Sequence, residues 1–179
     1  MKVRRVVTGH DAAGKAVFAS DEEVAPLTMD LLPGAEFHRL WGGDEAPSFP
    51  DDGAPPAQPA YFPPVGGYRF GLFTLPPAGT QLPADLDLAA AMAELEAKLP
   101  GMAAHMETDD PGMHTTDTID FEVVLSGQVV LELDDGAERV LEPGDTVVQN
   151  GTRHRWSNAG TEPAVLAVFI CGAHHDRVG

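Results

Sequence analysis

Phe121-Glu122-Val123-Val124-Leu125 closed by Ser126-Gly127, then Val129-Val130-Leu131-Glu132-Leu133 closed by Asp134-Asp135-Gly136, sets the pattern from which the fold is read. Each run is short, rich in Val and Leu, and stops at turn-forming residues. The pattern continues through Glu138–Leu141, the turn Pro143-Gly144-Asp145, Thr146–Gln149, Gly151-Thr152, His154–Asn158, Ala159-Gly160 and Ala164–Ile170. Turn signals recurring about every 8–12 residues between strands mark an antiparallel sandwich or barrel. No repeat of fixed period is present, and no Gly-rich loop opens a helix, so nucleotide binding has no support.

Upstream of this series the chain changes character. Arg5–Thr8 and Ala16–Ala19 are β-prone runs around Gly9-His10-Asp11-Ala12-Ala13-Gly14, a loop that a hairpin can use. Glu36-Phe37-His38-Arg39-Leu40-Trp41 alternates polar and apolar residues, which predicts a strand with one wet face. Between positions 43 and 67 stand Pro47, Pro50, Pro55, Pro56, Pro59, Pro63 and Pro64, a density that forbids a helix or central strand and predicts an irregular arm around the body. Tyr68–Leu75 resumes β character until Pro76-Pro77 stops it. One helix is expected. Asp85 or Asp87 can cap it, Leu88, Met92, Leu95 and Leu99 form an apolar stripe that packs on the domain, and Pro100-Gly101 ends it.

A length of 179 residues suits one domain. Within it, 1–83 read as strands and Pro-rich arm, 84–111 as helix and lid segment, and 112–172 as the barrel. Eleven Lys and Arg against 28 Asp and Glu give a net charge of −17 and a pI near 4.5. A surface that acidic repels phosphate backbones and anionic lipids, so neither nucleic acid nor membrane is expected as a partner. No run approaches the roughly 18 apolar residues that cross a bilayer. The basic residues at the start are not followed by an apolar stretch, so a cytoplasmic protein acting on a small molecule is expected. Cys171, the single cysteine, can form neither an internal disulfide nor a thiolate cluster.

Residues 112–158 resemble the two halves of the cupin signature. In the first half Gly127 closes the motif, Asp120 stands at the Glu position, His114 takes the first His, and Thr116 occupies the place of the second. The second half runs from Pro143-Gly144-Asp145 past Gly151 to His154 and Asn158, one residue shorter than the usual form. The resemblance implies an all-β double-stranded β-helix, the cupin jelly-roll barrel, with an N-terminal strand arm and one inserted helix. It implies a small single-domain protein and a homodimer, with the arm in the interface.

The site implied by the resemblance is a metal site. Cupins usually hold a divalent ion with three His and one Glu, and the matching positions here are His114, Asp120 and His154, with Thr116 replacing a ligand. Two imidazoles and one carboxylate with open positions form the set associated with non-haem Fe(II) oxygenases. Fe(II) is therefore favoured, with Zn, Mn or Ni open. The alternative is a metal-free cluster of buried, hydrogen-bonded polar groups.

Strand alternation adds candidates. If Asp120 points inward, Glu122 and Val124 share its face. A carboxylate at 122, shielded from water beside Asp120, would have a raised pKa and could act as general acid or base. The alternative is a bulge that turns Glu122 to solvent. Thr152, His154, Trp156 and Asn158 share a face by the same rule, which makes Trp156 an aromatic wall and Asn158 a turn-fixing residue. Arg153 and Arg155 fall outside. Thr116 and His105 are further candidates for the pocket, His105 within a lid with Met106 and Met113. Asp117 could orient His114 or cap its own turn. His10, His38 and the His174-His175 pair read as structural or solvated.

The function expected is a metal-dependent enzyme acting on a small organic molecule, with iron-dependent oxygenation first. A metal-assisted lyase, isomerase or decarboxylase is second. A non-catalytic barrel that binds a small ligand is third.

Overall fold

Period-2 patterning needs two faces to bury, and the chain supplies them as two sheets. The computed structural model describes residues 1–176. Its strands are β1 (Val3–His10), β2 (Ala16–Val24), β3 (Glu36–Gly43), β4 (Tyr68–Leu75), β5 (Thr118–Ser126), β6 (Val129–Glu132), β7 (Glu138–Leu141), β8 (Thr146–Gln149), β9 (Arg155–Asn158) and β10 (Ala164–Gly172), with one helix, α1 (Leu88–Lys98). The order β3-β4-β10-β5-β8 makes a five-stranded sheet, and β7-β6-β9 a three-stranded one facing it. All strand pairings are antiparallel. Leu75, Val124, Val129, Ala164 and Leu166 form a core between the sheets, closed by Leu141 and Trp156 from the smaller one. The result is the all-β barrel with an N-terminal strand arm and one inserted helix.

Tight turns carry the chain between sheets. Gly127 joins β5 to β6 at φ +74°, and a Cβ there would lie 2.6 Å from the Ala164 Cα, so only glycine fits both the backbone and the space. Asn158 performs the turn role expected of it. Its amide donates to the Glu162 carbonyl at 2.8 Å, and its Oδ1 accepts from the Gly160 N–H at 2.7 Å.

The N-terminal region differs from the simplest expectation. β1 and β2 are longer than their β-prone cores and form a separate two-stranded sheet. Val3 and Val7 bury one side of this hairpin, while Phe18 on the other stays 79% exposed. β3 has no wet face: Phe37 and His38, which point to opposite sides, are both buried. His38 is thus neither solvated nor hydrogen-bonded, since both ring nitrogens lack partners, and burial holds its pKa below the usual imidazole range.

The helix begins at Asp87, whose carboxylate accepts from the Ala89 and Ala90 N–H groups. Its buried line is Ala91, Leu95 and Leu99, packed on Met29, Ala35 and Phe37. Leu88 and Met92, counted in the expected stripe, lie outside that line and are exposed. The core beneath the helix comes from residues 27–37, which leaves room for one row of contacts and not for the wider stripe.

Replacing Asn158 with Ala leaves the part-buried Gly160 N–H and the Glu162 carbonyl without this partner. The expected cost is about 2 kcal/mol, or about 4–8 °C of melting temperature for a chain of this size, read by thermal unfolding followed by circular dichroism.

Candidate active site

His114 and His154 face each other across an isolated antiparallel bridge. Each donates its backbone N–H to the other's carbonyl, at 3.0 and 2.9 Å. Directly opposed residues in an antiparallel pair project their side chains to the same side. Accordingly the two rings sit 4.1 Å apart between centroids, tilted by 48°. His114 Nδ1 lies 3.1 Å from the Gly112 carbonyl, and His154 Nδ1 lies 2.8 Å from that of Thr152. A carbonyl partner requires the proton on Nδ1, which leaves each Nε2 as a lone-pair donor. Burial lowers both imidazole pKa values. That of His154 falls to about 4, with His114 beside it adding to the effect.

β5 supplies the carboxylates. Its register against β8 and β10 is regular through Asp120 and Glu122, so both point inward with Thr118 and Val124. Asp120 is 5% and Glu122 6% exposed, and Asp120 Oδ1 and Glu122 Oε2 have no hydrogen-bond partner. Burial raises Asp120 to about 6, opposed by the Thr118 hydroxyl. Burial, and then the charge of Asp120, raises Glu122 to about 8. Glu122 therefore carries a proton at neutral pH when no cation is nearby.

These four side chains open into a cavity of about 660 Å³. Trp156 forms one wall, its ring edge-on to His154 at 6.2 Å. The opposite wall was not anticipated from sequence. It comes from Phe37 and Phe73, stacked at 4.6 Å, and from Tyr61 and Phe62 in the Pro-rich arm. Tyr61 is held by its N–H to the Pro100 carbonyl at 2.9 Å, and its hydroxyl pKa is raised by burial and then by the charge of Asp120. The arm itself is fixed by Arg69, which donates to the Ala60 and Gly43 carbonyls and to Asp44. The adjacent Tyr61-Phe62 pair, bulky apolar residues amid prolines, is the signal that marks this segment as a wall.

Other candidates lie elsewhere. Thr116 is buried, but it stands behind the cavity, its hydroxyl accepting from that of Thr118 at 2.8 Å. His105 sits in a single 3-10 turn, Ala103–His105, with Nδ1 3.1 Å from the Thr115 carbonyl. It faces a separate cavity with Asp44, Pro64 and Asp117, while Met102 and Met106 on either side of the turn line the main one. Asp117 pairs with His175 at 3.0 Å and not with His114. Arg153 and Arg155 do point outward. Arg153 binds Glu107, Asp110 and Asp134, and Arg155 binds Asp110 and Glu132, which straps residues 107–110 over the barrel.

Residues 104–171 match the family model described as the cupin domain. That stretch is a cupin domain. Over 58 residues it is 45% identical to phomopsin biosynthesis cluster protein C' of Diaporthe leptostromiformis, a match covering 32% of this chain and 31% of that protein. Over 170 residues it is 25% identical to the cupin-domain-containing oxidoreductase srdB of Neurospora crassa, covering 92% of this chain and 70% of that one. The cupin domain of Schizosaccharomyces pombe Cnp3 aligns over 96% of this chain and 89% of its own, with a TM-score of 0.49 and 10% identity. The matches to the first relatives thus span about a third of those proteins' length. Among the described residues no helix is long and apolar enough to cross a membrane.

The donor set of this cupin domain suits a divalent ion in chemistry: two imidazoles with oriented tautomers, and buried carboxyl oxygens lacking partners. Among the described residues, however, no three His, Cys, Asp or Glu side chains stand close enough together to hold an ion as they are. The two histidines are paired, and a carboxylate has to swing toward them to complete a site.

Burial of Glu122 has a consequence for stability. Its folded pKa exceeds the ordinary value, so the folded state holds a proton that the unfolded chain releases. That stability is present in full below the ordinary carboxylate range and is lost as pH rises toward 8. Chelator-treated protein is therefore expected to melt lower at about pH 9 than at about pH 6, and Glu122→Gln to remove most of that difference. Scanning calorimetry of both proteins at both pH values checks this.

Proposed function

We propose that the cavity is the active site of a metal-dependent oxidoreductase acting on a small organic molecule, with iron favoured and dioxygen as oxidant. The observation that carries this reading is the His114–His154 pair, with both Nδ1 atoms tied to backbone carbonyls, in one cavity with two carboxyl groups that have oxygens without partners. The relatives named as cupin-domain oxidoreductases support the reaction class.

His114, His154 and Asp120 would hold the ion. Bound there, a divalent metal supplies Lewis acidity and, as iron, one-electron redox capacity. The protein's own groups do the rest. Trp156, Phe37 and Phe73 exclude water and orient a flat substrate body. Glu122 holds a proton at a buried carboxyl beside Asp120, where it can donate to a substrate oxygen and take the proton back. The strap of residues 107–110 on Arg153 and Arg155 closes the rim. That protonated Glu122 equally suits a lyase or isomerase needing no oxidant, the second reading.

Elemental analysis of native protein against His154→Ala tests the metal. Near-stoichiometric iron that falls to trace in the variant is expected, and protein staying metal-free after loading with Fe(II), Mn(II) and Zn(II) overturns the reading. Turnover lost under nitrogen and on replacing iron by zinc separates the oxidoreductase from the lyase, which keeps its activity in both cases.

A homodimer belongs to the same proposal. Phe70, Phe169, Phe121 and Val148 are cross-strand neighbours in one exposed row along the outside of the large sheet. With a net charge of −17, two copies meet most readily where neither presents carboxylates. Sedimentation velocity is expected to give a dimer for the native chain and a monomer for Phe121→Lys/Phe169→Lys.

A further inference from the structure

The acids that line the cavity meet no cation within it, Glu107 alone being paired from outside, by Arg153. Glu107, Asp120 and Glu122 are its ionisable acids, and among the described residues no Lys or Arg lines it. The arginines nearest in the fold are engaged elsewhere. Arg153 and Arg155 bind the outer strap, Arg39 donates to Gln58, and Arg69 is bound to Asp44 and to backbone carbonyls of the arm. A carboxylate or phosphate substrate is normally met by an arginine fork, a lysine or a helix N-terminus. In the metal-free form it would enter an apolar chamber with no cation to meet it and leave its hydration shell without compensation.

The walls ask for the opposite kind of molecule. Around 660 Å³ lies within the range of sites that enclose drug-sized ligands. Phe37, Phe73, Tyr61, Phe62 and Trp156 present ring surfaces, and Leu166 with Met102 fills between them. The buried ionisable groups of the lining are His114, His154, Asp120 and Glu122. We propose that the cavity takes a neutral, largely apolar molecule with at least one aromatic ring and a single uncharged oxygen function, hydroxyl or carbonyl, directed at the histidine end. Small carboxylic acids and sugar phosphates are rejected. The proposal rests on the metal reading in one respect: an ion at the histidine end occupies the carboxylates, so an ammonium ligand finds no free counter-charge there.

Three probes of similar shape and different charge test it: 2-naphthol, 2-naphthoate and 2-naphthylmethylammonium. Binding is followed by calorimetry and by quenching of Trp156 fluorescence in a Trp41→Phe background, with protein both chelator-treated and Zn(II)-loaded. The naphthol is expected to bind both forms and, in the chelator-treated form, to exceed naphthoate by at least about tenfold, equivalent to about 1.4 kcal/mol. The ammonium is expected to bind the loaded form more weakly than the naphthol does. Leu82→Arg, at an exposed position on the cavity wall, is expected to narrow the gap between naphthol and naphthoate. Naphthoate binding equal to or tighter than naphthol, ammonium preferred in the loaded form, or no naphthol binding at all would overturn the proposal. Protein that takes no zinc yet still prefers the naphthol refutes the metal reading and leaves this assignment of substrate class standing.

Discussion

Two backbone hydrogen bonds between His114 and His154 hold the candidate site together. They join the strand that enters β5 to the strand that becomes β9, and those strands belong to different sheets. Because opposed residues in such a pair share a side, the bond pair places two imidazoles next to each other before any packing is considered. The rest of the chamber takes its register from there. Counting by twos from His154 sets Trp156 in the wall, and the strand leading from His114 into β5 sets Asp120 and Glu122 on the inner face. The intervening arginines, 153 and 155, are left outside to grip the strap.

That dependence explains what could be read in the sequence. From residue 112 onward, alternation and turn chemistry are local, so the strands, the inward carboxylates and the outward arginines were all legible. The outcome at Glu122 was open only because a bulge is also local, and none occurs there. What escaped the sequence is long-range. His38 is buried among residues distant in sequence, including Tyr61 and Ile170, and no pattern within β3 announces them. The helix stripe was read one row too wide, since its width is decided by residues 27–37 beneath it. Tyr61 reaches the chamber through a proline-rich segment without periodicity, where only its bulk gave a hint.

The chamber concentrates unfavourable desolvation in one place. Burial shifts all four ionisable groups toward their neutral forms, the two imidazoles downward and Asp120 and Glu122 upward. At pH 7 Asp120, at about 6, is still largely ionised while Glu122, at about 8, keeps its proton, so the set offers both lone pairs and a proton to whatever enters. The strongly acidic exterior is kept apart from it, its carboxylates turned to water or to the strap arginines.

The two halves of the chamber are built under different rules. The histidine side lies in hydrogen-bonded strands, where inserting or removing one residue would flip every neighbour to the wrong face. The arm side, Tyr61 and Phe62, hangs from Arg69 and a few carbonyls outside any sheet ladder. Changes in the arm can therefore reshape that wall of the chamber while the register of the strands on the other side stays untouched.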